Sequence, residues 1–425
     1  MHARSPAPFA AFKARDFRLF WLGAFCGTVG FEMQGTAVGW ELYERTGSAL
    51  ALGYIGLVSV IPLVALVLPA GHIVDTVDRR RVLICAQATM ASASIGLAAV
   101  SWLHAPVLAI YACFLVMGAA RAFQQPVRNA ILPALVAPDV LANAVTWNSG
   151  GWQLAAVIGP AIGGLLIGAF RLPALVYLCG AGGASVFMIC AILLHYRPVD
   201  REKRAITLDS LIAGARYVLN TKLILAAITL DLFAVLLGGA TSLMPVYAKD
   251  ILHVGPAGLG WMDAAPSIGA VVVAIVLAKA QMKRAGATLL WAVFGFGAAT
   301  LVFGLSRSYV LSLAMLVLLG GLDMVSVVVR GTLVPLLTPD EMRGRVGAIN
   351  SLFIGTSNQL GGFESGVVAR LFTPVVSVVS GAVGTMIVVI AIALKWPELR
   401  RLGPLTTLAP AEPAPVVSAA RAAAS

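Results

Sequence analysis

Twelve stretches of mostly apolar residues, each close to the length that crosses a bilayer, govern what this chain can fold into. They run roughly 18–40, 49–74, 82–103, 106–133, 143–169 and 172–194, then 222–247, 256–281, 287–305, 309–336, 346–370 and 374–396. About twenty apolar residues make one helical span. At 59% hydrophobic and 12% charged over 425 residues, the chain carries more apolar surface than a water-soluble domain of this size buries. Lipid is therefore its solvent, and the expected fold is all-α, with twelve transmembrane helices.

The second half echoes the first. Arg128, Pro133, Asn148 and Ser149 recur as Arg330, Pro335, Asn350 and Ser351, each 202 positions later. Ala137-Pro138-Asp139 reappears as Thr338-Pro339-Asp340, one residue out of step. The reading is two pseudo-symmetric six-helix bundles, 18–194 and 222–396. A terminal segment 1–17 precedes them, a charged linker 195–221 joins them, and a Pro/Ala-rich tail 397–425, expected to be disordered, follows. Within the linker, Thr207–Leu219 has an amphipathic pattern, with Leu208, Leu211, Ile212 and Ala215 on one face. A membrane protein of two similar halves places a ligand at the seam and moves by rocking one half on the other.

The net charge of +11 does not point to nucleic acid, because the cations are dispersed among alternate helix ends instead of forming one basic face. Arg15 and Arg18, Arg79–Arg81, the linker cluster, Lys283 and Arg284, Arg343 and Arg345, and Arg400 and Arg401 fall on one side. The other side has only Arg45, Arg171, Lys249, Arg307 and Arg370. The positive-inside rule puts both termini in the cytoplasm. The first span is too long for a signal-peptide core and lacks a small-residue cleavage site. Cys26, Cys85, Cys113, Cys179 and Cys190 all lie within spans and read as small packing groups. No histidine pair has metal-ligand spacing, no phosphate-cradling glycine loop is present, and no nucleophile–base constellation stands out. No cofactor, no metal and no enzymatic activity are expected.

The stretch Gly71-His-Ile-Val-Asp75-Thr-Val-Asp78-Arg79-Arg80-Arg81-Val-Leu83 resembles the signature of the major facilitator superfamily between its second and third spans. Thr76 stands where that signature has Arg, and Asp78 where it has Gly. The resemblance covers residues 15–402. Three further segments, Arg121-Ala-Phe-Gln-Gln-Pro-Val-Arg128, Gly159-Pro160-Ala-Ile-Gly163-Gly164 and Phe363-Glu364-Ser365-Gly366, are similar to the bacterial exporter branch of the transmembrane secretion effector type, which includes the enterobactin exporter. The run Gly159, Pro160, Gly163, Gly164 resembles the antiporter motif of span five, although Ala155 sits where an upstream glycine is usual. The resemblance implies a bacterial inner-membrane secondary transporter with a cavity lined by spans one, four, seven and ten.

An ionised side chain in mid-bilayer costs about 3 kcal/mol on insertion scales, so each one needs a reason. The candidates are Glu32, Arg121, Arg128, Asp231, Asp263, Asp323, Arg330 and Glu364. Arg121, Gln124, Gln125 and Arg128, at i, i+3, i+4 and i+7, share one face of span four. The repeat maps Arg121 onto Asp323 and Arg128 onto Arg330. Arg121 then has two potential partners, Asp323 across the cavity or Glu32; the resemblance favours Glu32, since superfamily drug exporters often pair an acid in span one with an Arg in span four. Glu32 is the expected proton-coupling carboxylate, with Arg121 tuning it, because burial and a neighbouring cation act in opposite directions on a carboxylate. The plainer reading is a fixed ion pair bracing two helices. Asp231 and Asp323 are the alternative carboxylates.

Gly71, Asp75, Arg79, Arg80, Arg128 and Arg330 are expected at a cytoplasmic gate, with Asp75 meeting Arg128 or the N-terminal end of span eleven. Trp147, Trp152 and Phe123 are candidates for stacking on an aromatic substrate, with helix packing as the commoner role. Glu364 has no physical account from sequence. The resulting expectation is a monomeric exporter of a small drug-like or siderophore-like molecule, driven by protons. An importer, a uniporter or a non-transporting membrane sensor are the alternatives.

Overall fold

The computed structural model describes residues 7–195, 208–279 and 282–404. Among these residues the chain is helical without strands. The first half holds α1 (Arg15–Thr46), α2 (Ala49–Thr76), α3 (Arg79–Trp102), α4 (Val107–Ile131), α5 (Leu141–Phe170) and α6 (Pro173–Leu193). The second holds α7 (Leu208–Asn220), α8 (Lys222–Leu237), α9 (Met244–Val246), α10 (Gly255–Lys279), α11 (Ala285–Leu305), α12 (Tyr309–Leu336), α13 (Asp340–Leu371), α14 (Pro374–Lys395) and the short α15 (Pro397–Arg400). The two halves form pseudo-symmetric bundles of six spans each. The residues of the tail from 405 onward, and 196–207 of the linker, lie outside the described residues.

Ten segments among the described residues are long and apolar enough to cross a membrane on composition alone. The remaining two long helices, α1 and α13, have 32 residues each but carry more polar side chains. Both line the seam between the halves, together with the more apolar α2, α5 and α10.

Helix ends follow local chemistry. Asp78, the departure from the superfamily glycine, accepts from the Arg80 N–H at 2.9 Å and caps α3. Gly47 closes α1 in the left-handed conformation at φ 59°, its N–H reaching the Tyr43 carbonyl at 2.8 Å.

Span seven is not the single helix its hydropathy suggests. It breaks at Gly238-Gly239 into a 3-10 turn (Gly239–Leu243), α9 and a π turn (Tyr247–Ile251). A Cβ at Gly239 would lie 2.9 Å from the Gly361 carbonyl carbon, so the break lets the chain seat directly on α13. Broken backbone at membrane depth is tolerated where it lines a cavity.

The amphipathic α7 docks on the second bundle through Ala215, Tyr217 and Val218, which pack with Val346 and Ile349. Tyr217 Oη also donates to the Leu337 carbonyl at 2.7 Å. Ile212, expected on the apolar face, is exposed. Thr207 and the side chains of Leu208 and Leu211 lie outside the described residues.

By alternation, the start of α1, the ends of α2, α4 and α6, and the starts of α3, α5, α8, α11 and α13 share one face with the termini. This is the terminus-bearing face, and the other is the distal face. The halves meet through α2 with α13 and α5 with α10. The close contacts are distal: a Cβ at Gly164 would lie 2.7 Å from the Gly260 Cα, and one at Gly53 would lie 3.2 Å from the Gly366 Cα. One apolar core crosses the seam there, joining Met33, Leu42 and Leu52 to Leu243, Met244 and Leu259. Toward the terminus-bearing face each half keeps its own core. Gly331, Gly344 and Gly347 face open space on that side. Packing between the halves is thus concentrated at the distal face, and the terminus-bearing face has no core shared across the seam among the described residues.

Candidate functional site

Just inside the distal closure lies a cavity of about 460 Å³ with walls from both halves. The first half contributes Glu32 and Thr36 from α1, Leu52 and Ile55 from α2, and Trp152 and Pro160 from α5. The second contributes Thr241, Ser242 and Pro245 from the broken span seven, Asp263 and Ser267 from α10, and Asn358 and Gln359 from α13. Two carboxylates, Glu32 and Asp263, therefore face one void from opposite halves. No Lys or Arg is among its lining residues.

Thr36 lies one turn beyond Glu32 on the same α1 face, so its hydroxyl reaches across the seam and donates to Asp263 Oδ2 at 2.6 Å. Glu32 makes no hydrogen bond or ion pair among the described residues and feels the Arg121 charge through space. The Arg121 guanidinium stacks over the Phe31 ring, 4.0 Å from its centroid. Along the same stripe Gln124 is buried, Gln125 is exposed, and Arg128 Nη1 reaches Thr28 Oγ1 at 3.5 Å while facing Phe187. No ion pair joins Arg121 to Asp323 among the described residues.

The repeat-related positions in the second half form a different cluster. Arg330 Nη2 pairs with Asp231 Oδ1 at 2.6 Å, and its Nε donates to Ser326 Oγ at 3.3 Å. Both ends of this ion pair are buried. Asp323 interacts through space with each of them. The first half thus gathers one carboxylate and two guanidiniums, Glu32 with Arg121 and Arg128. The second gathers two carboxylates and one guanidinium. The clusters differ in net sign.

The residues expected at a gate are dispersed. Arg330 turns into the second bundle. Arg79 Nη1 donates to the Ala130 carbonyl at 3.5 Å, at the end of α4. Arg80 Nε donates to the Ala191 carbonyl at 3.0 Å and its Nη2 donates to the Ile192 carbonyl, so it binds the unsatisfied C-terminal end of α6. Gly71 lies in the last two turns of α2. The side chain of Asp75 lies outside the described residues.

The glycine run of α5 serves both neighbours. A Cβ at Gly159 would lie 2.6 Å from the Glu32 Cβ, and one at Gly163 2.9 Å from the Met33 carbonyl oxygen, so α1 rests directly on α5 backbone. Gly164 faces α10 in the other half, and Pro160 lines the cavity. Trp152 also lines the cavity, whereas Trp147 donates to the Pro8 carbonyl at 2.8 Å and stacks on Phe9, anchoring the N-terminal segment. Phe123 lines a separate groove among α2, α3 and α4. Glu364 accepts from Ser365 Oγ at 3.4 Å.

The sequence reading drew its main site residues from spans one, four, seven and ten. The cavity instead takes its walls from spans one, two, five, seven, eight and eleven. Asp263 stood out in the sequence as an in-span charge, but its pairing with Thr36, 227 residues away, did not. The neutral groups Thr241 and Ser242 carried one signal, the Gly-Gly pair just before them.

Two six-helix membrane bundles around one polar, carboxylate-bearing cavity at their seam define a transporter of the major facilitator superfamily. A family model described as transmembrane secretion effector matches residues 6–419, and the chain belongs to that family. The enterobactin exporters of Escherichia coli O1:K1 and Shigella boydii serotype 18 are each 28% identical over 387 residues, covering 91% of this chain and 92% of theirs. Among solved structures, a POT family transporter in complex with 5-aminolevulinic acid superposes with TM-score 0.74 at 11% identity, covering 91% of this chain and 97% of its own. The nucleoside transporter NupG gives TM-score 0.72 at 13% identity, with 89% and 99% covered. A bacterial homologue of the human lysosomal transporter Spinster, inward-facing and unoccupied, gives TM-score 0.63 at 14% identity, with 91% and 96% covered. The chain is a multi-pass membrane transporter, not an enzyme.

Proposed function

We propose that this transporter exports a small organic molecule, drug-like or siderophore-like, across the bacterial inner membrane by alternating access in exchange for inward-moving protons. The observation that carries the reading is the central cavity. Glu32 from one half and Asp263 from the other face the same void, so an occupant touches both rocking bodies at once and shifts the balance between their arrangements. Export is supported by relatives named as enterobactin exporters. The dispersed Lys and Arg at the terminus-bearing face support a cytoplasmic position for both termini. On that orientation the structure is open to the cytoplasm, the side from which an exporter loads. The chain works as a monomer, since its own two halves enclose the cavity.

Glu32 is the proton-coupling carboxylate in this reading. It faces the cavity without a hydrogen-bond partner, and the Arg121 charge lies beside it. A carboxylate so placed takes up and releases a proton as water reaches it from alternate sides. The test is a proteoliposome counterflow screen over a chemically broad panel, with and without an imposed pH gradient. Gradient-stimulated flux of at least one compound is expected, and in Glu32→Gln the stimulation should disappear while counterflow persists. Gradient dependence retained in Glu32→Gln would remove Glu32 from the role.

A further inference from the structure

Two hydrogen bonds cross between the halves among the described residues, and both start on α1. Thr36 Oγ1 donates to Asp263 Oδ2 at 2.6 Å, and Tyr43 Oη donates to Asp250. Thr36 and Tyr43 are seven residues apart, two helical turns, and so lie on one face of α1. Both donors are buried, and both acceptors are aspartates of the other half. Lys249 adds its ammonium 5.7 Å from the Tyr43 ring. The two points differ in what surrounds them. Asp263 is a wall of the central cavity. Asp250 is a wall of a second cavity of about 510 Å³ on the distal face, shared with Arg307 and Arg370 of its own half.

We infer that α1 closes the distal face as a two-point clasp, and that Asp263 is the positioning residue through which the contents of the central cavity release it. The inference rests on the alternating-access reading above. The Thr36 bond is charge-assisted, and such bonds are about twice as strong as neutral ones. Its acceptor also faces the cavity, so a cationic or donor group arriving there competes with Thr36 for the same carboxylate. Loss of the inner point leaves Tyr43–Asp250 as the one hydrogen bond across the seam among the described residues. When that bond opens too, Asp250 is left in a cavity whose other charged walls are Arg307 and Arg370. In this inference their cations take up the carboxylate, which gives the outer point the second arrangement that a switching element requires.

The test uses the full chain with its five native cysteines replaced by alanine. Leu52→Cys reports the gate: Leu52 is 4% exposed and lines the central cavity behind the distal closure. A membrane-impermeant maleimide added outside intact cells reaches it only when the distal face opens. Thr36→Val and Asp263→Ala should each raise its labelling rate about tenfold or more. Together they should do no more than either alone, since both remove one bond. Tyr43→Phe should raise labelling further when added to Thr36→Val. Thr46→Val, whose hydroxyl bonds Leu42 and Ser48 on its own side of the seam, should leave the rate unchanged.

Release from the cavity is tested without a ligand by Ser267→Lys, which sets an ammonium four residues along α10 from Asp263 on the cavity wall. It should raise labelling when Asp263 is present and have no effect in Asp263→Ala. Unchanged labelling in Thr36→Val and Asp263→Ala overturns the clasp. An equal effect of Ser267→Lys with and without Asp263 overturns the coupling. Two controls separate these results from failure of the underlying reading. Leu103→Cys, on an exposed distal loop, must label from outside, or the orientation is wrong. Gly164→Leu, which wedges the seam, must label Leu52→Cys strongly, or the halves do not separate. Failure of either control overturns the reading and the inference with it.

Discussion

Asp231 and Arg330 show how a membrane protein carries a charge at depth. The pair is buried, within 2.6 Å, and braced by Ser326. Removing one partner strands the other, which costs about 3–5 kcal/mol, whereas replacing both by apolar groups is often neutral. Asp231→Ala should therefore lower the thermal unfolding midpoint in detergent sharply, and Asp231→Leu with Arg330→Met should recover most of the loss. Glu32 is the opposite case, a carboxylate with no hydrogen-bond partner among the described residues facing a cavity, and Glu32→Gln should alter coupling with little change in that midpoint. The sequence could nominate both acids, because any in-span charge is conspicuous. It could not separate a brace from a cavity group, since the two differ only in what lies across from them. Trp147 illustrates the same limit: its role depends on Pro8 and Phe9, which fold back from the chain terminus.

At the scale of elements, apolar length is a local property, and the bundle order was legible for that reason. The two helices of weakest hydropathy, α1 and α13, both line the cavity, but so do the apolar α2, α5 and α10, so composition alone does not pick out its walls. The break in span seven was less legible, because Gly238 and Gly239 read as packing residues until α13 is seen against them. Close helix approach also explains the α5 glycines. Gly164→Leu should prevent distal closure and abolish concentrative transport while the protein still elutes as a folded monomer. Gly163→Val should instead force α1 off α5 and lower the unfolding midpoint, because the Cβ position lies 2.9 Å from the Met33 carbonyl oxygen.

For the whole molecule, the two charge clusters are related by the repeat but differ in sign. Arg121 and Asp323 occupy equivalent positions and are not joined while the terminus-bearing face is open. On the alternating-access proposal, rocking that face shut would bring the halves together on their side of the cavity, where opposite charges would favour closure. Arg121→Asp should thus reduce transport at least tenfold, and adding Asp323→Arg should restore part of it. Absence of any recovery in a full counterflow measurement would show that the two positions act independently. Closure at one face and attraction held in reserve at the other supply the two-state behaviour that rocking needs.

The amino-acid sequence by itself marked the apolar spans and the charges held within them, because these rest on composition over short distances, while the repeat 202 positions apart implied two related halves and the motif resemblance implied the superfamily. Tertiary structure alone decided which face is shut, that Asp263 shares a cavity with Glu32, and that Arg330 belongs to Asp231. These depend on contacts between helices about 100 to more than 200 residues apart, where apolar periodicity says which side of a helix avoids lipid but not which partner it meets.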